Sequence, residues 1–263
     1  MAPCPPPADA AAELLFTRRE NLLALLPAFL AYALLGEARA AAPERQGSVR
    51  RWIASQQGIA EALASGAIGG RAWCLEVERL AAELDLAELV AELGRARLRP
   101  AGPPFRNDPS KRHVSFLDES GAPRRLAYGA ALFDFDPANV ITPHGHRHMV
   151  SAHLVVAGAF RVRNFDRLRD EGEAMVIRPT RDYLARPGRV STMCSERDNI
   201  HWFVPQGGPA TTFDVVVSGL DPGLPDHDIK AVDPLGGRRL ADGSILAPLI
   251  SFADSSRRYT AAV

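Results

Sequence analysis

The sequence predicts a mainly β domain, an antiparallel sandwich or barrel, that is preceded by a helical segment. Apolar side chains recur at helical spacing between residues 48 and 95. Beyond residue 110 they occur in short stretches of strand length, separated by glycine and proline. Because no helical pattern alternates with these stretches, antiparallel strands are expected rather than parallel βαβ units.

Length and composition limit the classes of protein that fit this chain. Its 263 residues are enough for one domain with additional elements. The 31 basic and 31 acidic residues balance, so no net charge favours a nucleic acid or a membrane surface as partner. Cys4, Cys74 and Cys194 show no CxxC spacing, which argues against a zinc ribbon and against a disulfide framework.

The first 40 residues have the features of an export signal. Arg18–Arg19 precede an apolar run over residues 22–35, and small residues follow at 38–40. A paired arginine, a moderate apolar segment and an A-x-A end resemble a twin-arginine secretion signal. The run is too short for a comfortable membrane span. We therefore expect residues 1–40 to be a signal segment and the protein to be exported to the periplasm.

The alternative is a cytoplasmic protein in which this segment forms an amphipathic or buried helix. Pro27 and Glu37 keep that alternative open. Twin-arginine export would suit a protein that folds around a metal before it crosses the membrane.

Residues 41–99 are expected to form a helical lead-in that packs on the barrel. Two apolar faces indicate this, and glutamates and arginines occupy the opposite sides. The faces comprise Trp73, Val77, Leu80 and Leu84, and then Leu86, Leu89, Val90 and Leu93. Asp85 is placed to cap the second helix. The alternative is a helical module that binds a partner.

After a connector rich in proline and glycine at 100–109, residues 110–263 are expected to form the barrel and a C-terminal extension. The predicted strands are 114–117, 126–135, 149–156, 159–165, 175–177, 190–194, 200–204 and 211–217. The tail from residue 226 is expected to contain a last strand or strand pair at 245–252. It would either cover the mouth of the barrel or close an exposed edge.

Four of the seven histidines lie between residues 143 and 158. His144 and His146 are two residues apart at the end of an apolar strand, so their imidazoles point to the same side. Paired imidazoles are typical ligands of divalent metals. The alternative is a hydrogen-bonded histidine cluster that holds no metal.

His144, His146, an apolar strand that ends at Gly158, and a distant His201 together resemble the two-motif pattern of the cupin superfamily. This resemblance implies a double-stranded β-helix barrel and a metal held by all three histidines. Cupins usually place a glutamate ligand where this chain has Ser151. The departure implies a centre of three neutral imidazoles with open coordination positions.

The segment Asn199–His201, and Asp214 before a run of valines, resemble the cysteamine dioxygenase and plant cysteine oxidase branch of the thiol dioxygenases. The resemblance covers roughly residues 128–220. It implies Fe(II) as the cofactor, although zinc and nickel also accept imidazole ligands. It further implies a small thiol and O2 as substrates and a sulfinic acid as product.

His153 and Asp214 are the candidate catalytic residues. His153 lies two residues beyond Ser151 and shares its face, so it is expected to act as a proton carrier or to be satisfied by its neighbours. The resemblance implies that Asp214 faces inside and binds a substrate ammonium. The alternative for Asp214 is a solvent-facing position on its strand.

Arg161, Arg163 and Tyr128 are the candidate substrate-binding residues. The two arginines share one face of a strand, and either could bind a substrate carboxylate in a bidentate grip. The alternation alone does not say whether that face is inside the barrel. Core packing is the alternative role of Tyr128.

The function expected from these features is oxygen-dependent oxidation of a small thiol at a mononuclear iron. One alternative is a cupin that binds a metal or a small ligand without turnover, and another is a cupin enzyme that acts on carbon. We expect no nucleic-acid partner and no integral membrane role, and a homodimer stays open.

Overall fold

The computed structural model describes residues 47–102, 107–221, 223 and 229–260. All of these belong to one structural unit, residues 44–263. The predicted signal segment at 1–40 lies outside the described residues. Within the described ranges, no helix combines the length and the apolar character that crossing a membrane requires.

Among the described residues, three helices form the lead-in and a fourth follows the last strand. The helices are α1 (Ser48–Ala64), α2 (Gly70–Ala82), α3 (Leu86–Arg95) and α4 (Phe252–Thr260). The prediction that Asp85 caps the helix after it is confirmed, because its Oδ1 accepts hydrogen bonds from the backbone N–H groups of Ala87 and Glu88 at 3.0 and 3.2 Å.

Two antiparallel sheets, of six and seven strands, contain the strands of the described residues. In chain order the strands are β1 (Arg97–Ala101), β2 (Ser110–Ser115), β3 (Gly129–Phe135), β4 (Ile141–Gly145), β5 (Val150–Ala157), β6 (Phe160–Glu171), β7 (Ala174–Ala185), β8 (Val190–Met193), β9 (Ile200–Pro205), β10 (Ala210–Val217), β11 (Lys230–Ala231), β12 (Arg238–Arg239) and β13 (Ile245–Pro248).

The strand order identifies the architecture. The first sheet runs β1-β2-β3-β10-β5-β8 and the second runs β11-β4-β9-β6-β7-β13-β12. The eight strands from β3 to β10 are therefore divided between two four-stranded sheets, β3-β10-β5-β8 and β4-β9-β6-β7, and successive strands change sheet except at the β6–β7 hairpin. This is the order of a jelly roll, the double-stranded β-helix of cupins. The predicted fold class is confirmed.

The helical lead-in covers the outer face of the six-stranded sheet. The ring of Trp52 on α1 lies 5.7 Å from that of Phe213 on β10, centroid to centroid, in an edge-to-face arrangement. Trp73 on α2 is fully buried in the same apolar cluster. Because the helices cover the outside, β5 is buried on both faces, which explains its nearly continuous apolar sequence.

β1 and α4 were not among the predicted elements. β1 lies partly within the predicted connector and pairs along its whole length with β2; it tolerates Pro100 because it is an edge strand. The predicted strand at 245–252 ends at Pro248, and α4 begins at Phe252. The signal for this helix is Ser251, whose Oγ accepts from the backbone N–H of Asp254 at 3.0 Å.

The tail extends both edges of the seven-stranded sheet. β11 pairs with β4, and β13 pairs with β7. Tyr259 on α4 is fully buried, donates a 2.7 Å hydrogen bond to Asp233, and packs its ring 4.9 Å from that of Trp202. The tail therefore closes sheet edges, as one of the two predicted roles proposed.

Candidate metal centre

A pocket of about 810 Å³ opens into the barrel between the two sheets. Its wall is mainly apolar and includes Phe133, Val140, Ile141, Met149, Val216 and Phe252. His144, His146 and His201 lie on the same wall, together with Ser151, His153 and Asp214. A large apolar pocket with a few convergent polar groups is typical of a small-molecule site.

Strand register brings His144 and His201 together. β4 and β9 are antiparallel neighbours, and in their register His144 is the partner of His201. The two Nε2 atoms lie 3.2 Å apart. His146 follows directly after β4, and one ligand atom from each of the three histidines lies within 4.8 Å of the others.

Asn199 fixes the backbone around this cluster. Its carbonyl oxygen accepts from the backbone N–H of His146 at 3.0 Å. Its side-chain Oδ1 accepts from the N–H of Arg167 at 2.8 Å, and its Nδ2 donates to the carbonyl of Ser195 at 2.7 Å. The buried side chain of Asn199 thus joins β6 to the loop before β9, while its backbone carbonyl holds the segment that contains His146.

Gly158 has a structural role at the end of the strand that follows the histidine pair. Its φ is +70°, in the left-handed region, and a Cβ atom there would lie 2.5 Å from the carbonyl oxygen of Pro209. Only glycine satisfies both conditions without a shift of the chain. The spacing from the histidine pair to this glycine therefore reflects the turn between β5 and β6.

His144 is held in one tautomer. Its Nδ1 donates to the carbonyl oxygen of Thr142 at 2.7 Å, so its Nε2 is left with a lone pair that faces the cluster. Burial lowers the pKa of His144 to about 4. Burial and the neighbouring histidines hold the pKa of His201 well below its ordinary range. Both imidazoles are therefore neutral at pH 7, the form that binds metal.

The three histidines fit a divalent metal ion. Two nitrogens bound to one ion at about 2.0–2.1 Å lie roughly 2.9–3.4 Å apart, and the observed separation of the two Nε2 atoms is 3.2 Å. The Nδ1 atom of His201 is buried and has no hydrogen-bond partner among the described residues. Three neutral imidazoles leave room for further ligands, as an open catalytic centre does.

Ser151, His153 and Asp214 form a hydrogen-bonded chain beside the cluster. The Oγ of Ser151 lies 2.9 Å from Nε2 of His153, and Nδ1 of His153 lies 2.7 Å from Oδ2 of Asp214. All three side chains are buried, and the ring of His153 lies 4.7 Å from that of His201, centroid to centroid. Since Asp214 accepts at Nδ1, His153 presents Nε2 as the acceptor for the Ser151 hydroxyl. Ser151 therefore engages His153, and Asp214 faces the inside.

The two arginines predicted to bind substrate lie elsewhere. Val162, between them on β6, is fully buried in the barrel interior, so alternation directs Arg161 and Arg163 to the outer face. Arg161 pairs with Asp182, and the guanidinium of Arg163 lies 4.1 Å from the ring centroid of Trp202. This corrects the expectation, because neither side chain lines the pocket.

Tyr128 does not line the pocket either. It is 6% exposed and packs on the outer face of the six-stranded sheet, with its ring centroid 6.4 Å from that of Trp52. Burial raises the pKa of its hydroxyl above the ordinary range. The structure therefore gives Tyr128 the packing role that was its alternative.

The pocket residues that the sequence analysis did not propose include two polar side chains and an aromatic ring beside the histidines. Lys111 and His113 reach the pocket from β2, and Phe252 reaches it from the start of α4, with its ring centroid 6.0 Å from that of His144. The period-two spacing of Lys111 and His113 was a usable signal, because it places both on one face. Nothing in the local sequence relates Phe252 to a histidine more than a hundred residues earlier.

Solved structures with similarity to this chain include oxalate oxidase, CapF of Staphylococcus aureus and a double-stranded β-helix protein of Klebsiella pneumoniae. Oxalate oxidase is 17% identical over 45% of this chain and 55% of its own, with a TM-score of 0.32. CapF is 18% identical over 50% of this chain and 33% of its own, with a TM-score of 0.33. The Klebsiella protein is 14% identical over 44% of this chain and 77% of its own, with a TM-score of 0.30.

No protein-family model matches the sequence, and neither does any curated protein. The class of protein therefore follows from the strand order and the site. The chain is a jelly-roll barrel of cupin architecture with a candidate three-histidine metal centre in its pocket.

Proposed function

We propose that this protein is a metal-dependent oxygenase that converts a small thiol to its sulfinic acid, RSH + O2 → RSO2H. The observation that supports this most directly is the convergence of three histidines, with no carboxylate among them, at a pocket inside the barrel. Both oxygen atoms enter the product, so the reaction needs no further reductant.

Fe(II) is the proposed metal, and zinc and nickel are the alternatives that the same ligands accept. His144, His146 and His201 would hold it. The iron would supply open positions at which a thiolate and O2 bind side by side. Because the ligands are neutral, they would leave the full positive charge of the metal to attract the thiolate.

The chain of Ser151, His153 and Asp214 is proposed to handle the substrate proton. The Oγ of Ser151 would take the thiol proton and pass its own to Nε2 of His153, with Asp214 stabilising the imidazolium that forms.

The Oδ1 of Asp214 is buried without a hydrogen-bond partner among the described residues, so it is free to accept from a substrate ammonium. The apolar wall would limit the entry of water.

A second candidate function is oxygenation of a carbon substrate or simple ligand binding at the same centre. The pocket volume of about 810 Å³ favours it, because pockets of this size hold molecules larger than a minimal thiol. Oxygen uptake separates these functions: the thiol reaction consumes oxygen only with a thiol, oxygenation of carbon consumes it with a substrate that is not a thiol, and ligand binding consumes none.

Metal analysis and oxygen-uptake assays with a panel of thiols test the proposal. We expect one iron per chain, and oxygen uptake only when a thiol is present. His201→Asn should abolish metal binding. His148→Asn is the matched control, because His148 lies two residues beyond His146 and outside the cluster. Iron without thiol-dependent oxygen uptake would reject the thiol reaction, and full metal occupancy in His201→Asn would reject the ligand set.

Export to the periplasm through a twin-arginine signal is a separate proposal that the sequence alone supports. Replacing Arg18 and Arg19 by lysines in the full chain should retain the protein in the cytoplasm. A mature protein that still begins at Met1 in the source cell would contradict cleavage of the signal.

A further inference from the structure

On the inner face of the six-stranded sheet, a row of residues in register runs from His153, which lies beside His201, to His113 on β2. In the strand registers His113 on β2 pairs with Ala131 on β3, Ala131 with Asp214 on β10, and Asp214 with His153 on β5. Facing side chains in register lie on the same side of a sheet. Because Ala131 is small, the row has a gap between His113 and Asp214, where the pocket lies.

Lys111 extends this row along β2. It lines the pocket two residues before His113, beside Phe133, whose ring centroid lies 5.4 Å from its Nζ atom. None of the described carboxylates forms an ion pair with Lys111. A partly buried ammonium with an aromatic contact but no counter-ion retains an unused capacity to bind an anion.

The other charged side chains on the described pocket wall are the carboxylates Asp108 and Asp214, which repel an anion. Asp214 accepts from His153 at 2.7 Å, and Asp108 has a partner of its own. Neighbouring Arg112 points to the other face of β2, where it pairs with Asp134 at 2.7 Å. Lys111 is therefore the cation that the described part of the pocket presents to a ligand.

The distance between the two ends of the row sets the shape of the ligand. β2 and β10 are separated by one strand, so His113 lies about 10 Å from Asp214 across the sheet. Lys111 lies roughly 7 Å further along β2. His153, whose ring lies 4.7 Å from that of His201, is three strand spacings, or about 14 Å, from His113 across the sheet. We therefore expect a ligand that contacts both the histidines and Lys111 to be elongated.

We propose that Lys111, with His113 beside it, is an anion subsite that binds the far end of an elongated substrate whose other end reaches the three histidines. The substrate class is a thiol with an apolar chain and a distal carboxylate or other oxyanion. This assignment of substrate class rests on the proposed function, whereas the anion subsite itself does not require it.

The chain offers a direct test of the subsite, because its two lysines are Lys111 and Lys230. Lys230 pairs with Asp170 at 3.4 Å and serves as the internal control. The full chain is labelled with an amine-reactive acetylating reagent, with a chelator present, and the modification of each lysine is measured by mass spectrometry. Octanoate should protect Lys111 and leave Lys230 unchanged, and neither octyltrimethylammonium, which cannot react with the reagent, nor octanol should do so.

The second test uses thiols of equal chain length that differ only at the far end: an ω-mercaptoalkanoate, an ω-mercaptoalkanol and an ω-mercaptoalkylamine. In the metal-loaded protein, Lys111→Gln should lower kcat/KM for the alkanoate by at least about tenfold and leave the alkanol unaffected. Lys111→Arg should restore most of the loss. Arg112→Gln is the matched control, because it removes the same charge from the opposite face of the strand.

The outcomes separate the subsite from the proposed reaction. Protection of Lys111 by octanoate without thiol oxidation keeps the subsite and rejects the thiol reaction. Equal protection of both lysines, or equal protection by octanoate and octyltrimethylammonium, overturns the subsite. Thiol oxidation that is the same for the three thiols and insensitive to Lys111→Gln overturns the substrate class and leaves the reaction standing.

Discussion

At the scale of single residues, the histidine cluster is positioned by groups that are not themselves ligand candidates. The carbonyl of Thr142 fixes the tautomer of His144, and the carbonyl of Asn199 accepts from the N–H of His146. Such supporting hydrogen bonds orient metal ligands and set their basicity. The precision of the site therefore depends on buried polar contacts around it.

Asn199→Ala tests this dependence. The substitution removes the acceptor of the Arg167 N–H and the donor to Ser195, and it leaves a buried N–H unsatisfied. We expect the free energy of unfolding to fall by about 1–3 kcal/mol, and metal affinity to fall by roughly 10-fold or more. Urea unfolding and metal titration measure the two effects. Asn139→Ala, whose side chain caps an exposed turn, should leave metal affinity unchanged; equal losses in both variants would contradict the role of Asn199.

Asp214→Asn tests the hydrogen-bonded chain beside the cluster. The amide keeps the shape of the side chain but removes the charge that faces Nδ1 of His153. We expect kcat to fall by roughly 100-fold, while metal content stays at the wild-type level. Steady-state kinetics with metal analysis checks this. Asp182→Asn, on the outer face, is the control, and a parallel loss of metal in Asp214→Asn would mean that Asp214 supports the cluster rather than the reaction.

At the scale of elements, the contact between α2 and β8 joins the helical lead-in to the barrel. Gly70, the first residue of α2, approaches Cys194 so closely that a Cβ atom would lie 2.8 Å from the Cβ of Cys194. Glu78 on α2 also accepts from Thr192 at 2.5 Å and from Arg197 at 2.6 Å. This interface combines close packing with a polar network.

Gly70→Ala should weaken this interface. The added methyl group overlaps backbone-attached atoms, so we expect the free energy of unfolding to fall by about 1–3 kcal/mol. Gly58→Ala, within α1, meets no atom within 4 Å and should instead raise it by up to about 1 kcal/mol. Urea unfolding of both variants gives the comparison. Stabilisation of similar size in both would mean that α2 does not pack on β8 as closely as described.

The elements also show what the sequence could predict and why the rest escaped. β9 was predicted at 200–204 and ends at Pro205 in the structure. The prediction succeeded because every residue of this strand is buried and an apolar run of strand length is a strong signal. β7 was predicted only at 175–177, because its second half is exposed and carries arginines and Pro179. β7 extends to Ala185 because it pairs with β6, and local sequence preferences do not reveal this pairing.

The candidate site also contains residues that the sequence could identify and residues whose placement depends on the fold. His144, His146 and His201 were identified by spacing, and their convergence depends on the register of β4 with β9. The alternation of Arg161 and Arg163 left their face undetermined. The burial of Phe160 and Val162 inside the barrel shows that the two arginines face outward. The spacing of Lys111 and His113 places both on one face of their strand, but only the pocket shows that this face points inward.

At the scale of the whole molecule, the buried histidines couple stability to pH. An ordinary histidine has a pKa of 6.5, and burial lowers that of His144 to about 4. Between these two values the unfolded chain binds a proton that the folded chain does not. The free energy of unfolding therefore rises with pH across this window, and the contribution of His144 to it is lost as the pH falls. His201, whose pKa is lowered as well, acts in the same direction.

For the metal-free chain we expect the free energy of unfolding to decrease between about pH 6.5 and pH 4, by at most about 1.4 kcal/mol per pH unit for each histidine that stays neutral. Urea unfolding at several pH values in the presence of a chelator measures this slope. His144→Asn should reduce the slope, because one of the proton-linked groups is gone, and a saturating divalent metal should steepen it, because protons then compete with the metal for the same nitrogens. If the variant and the wild type share one slope, His144 is not held neutral by the fold, and the three histidines are not preorganised to receive a cation.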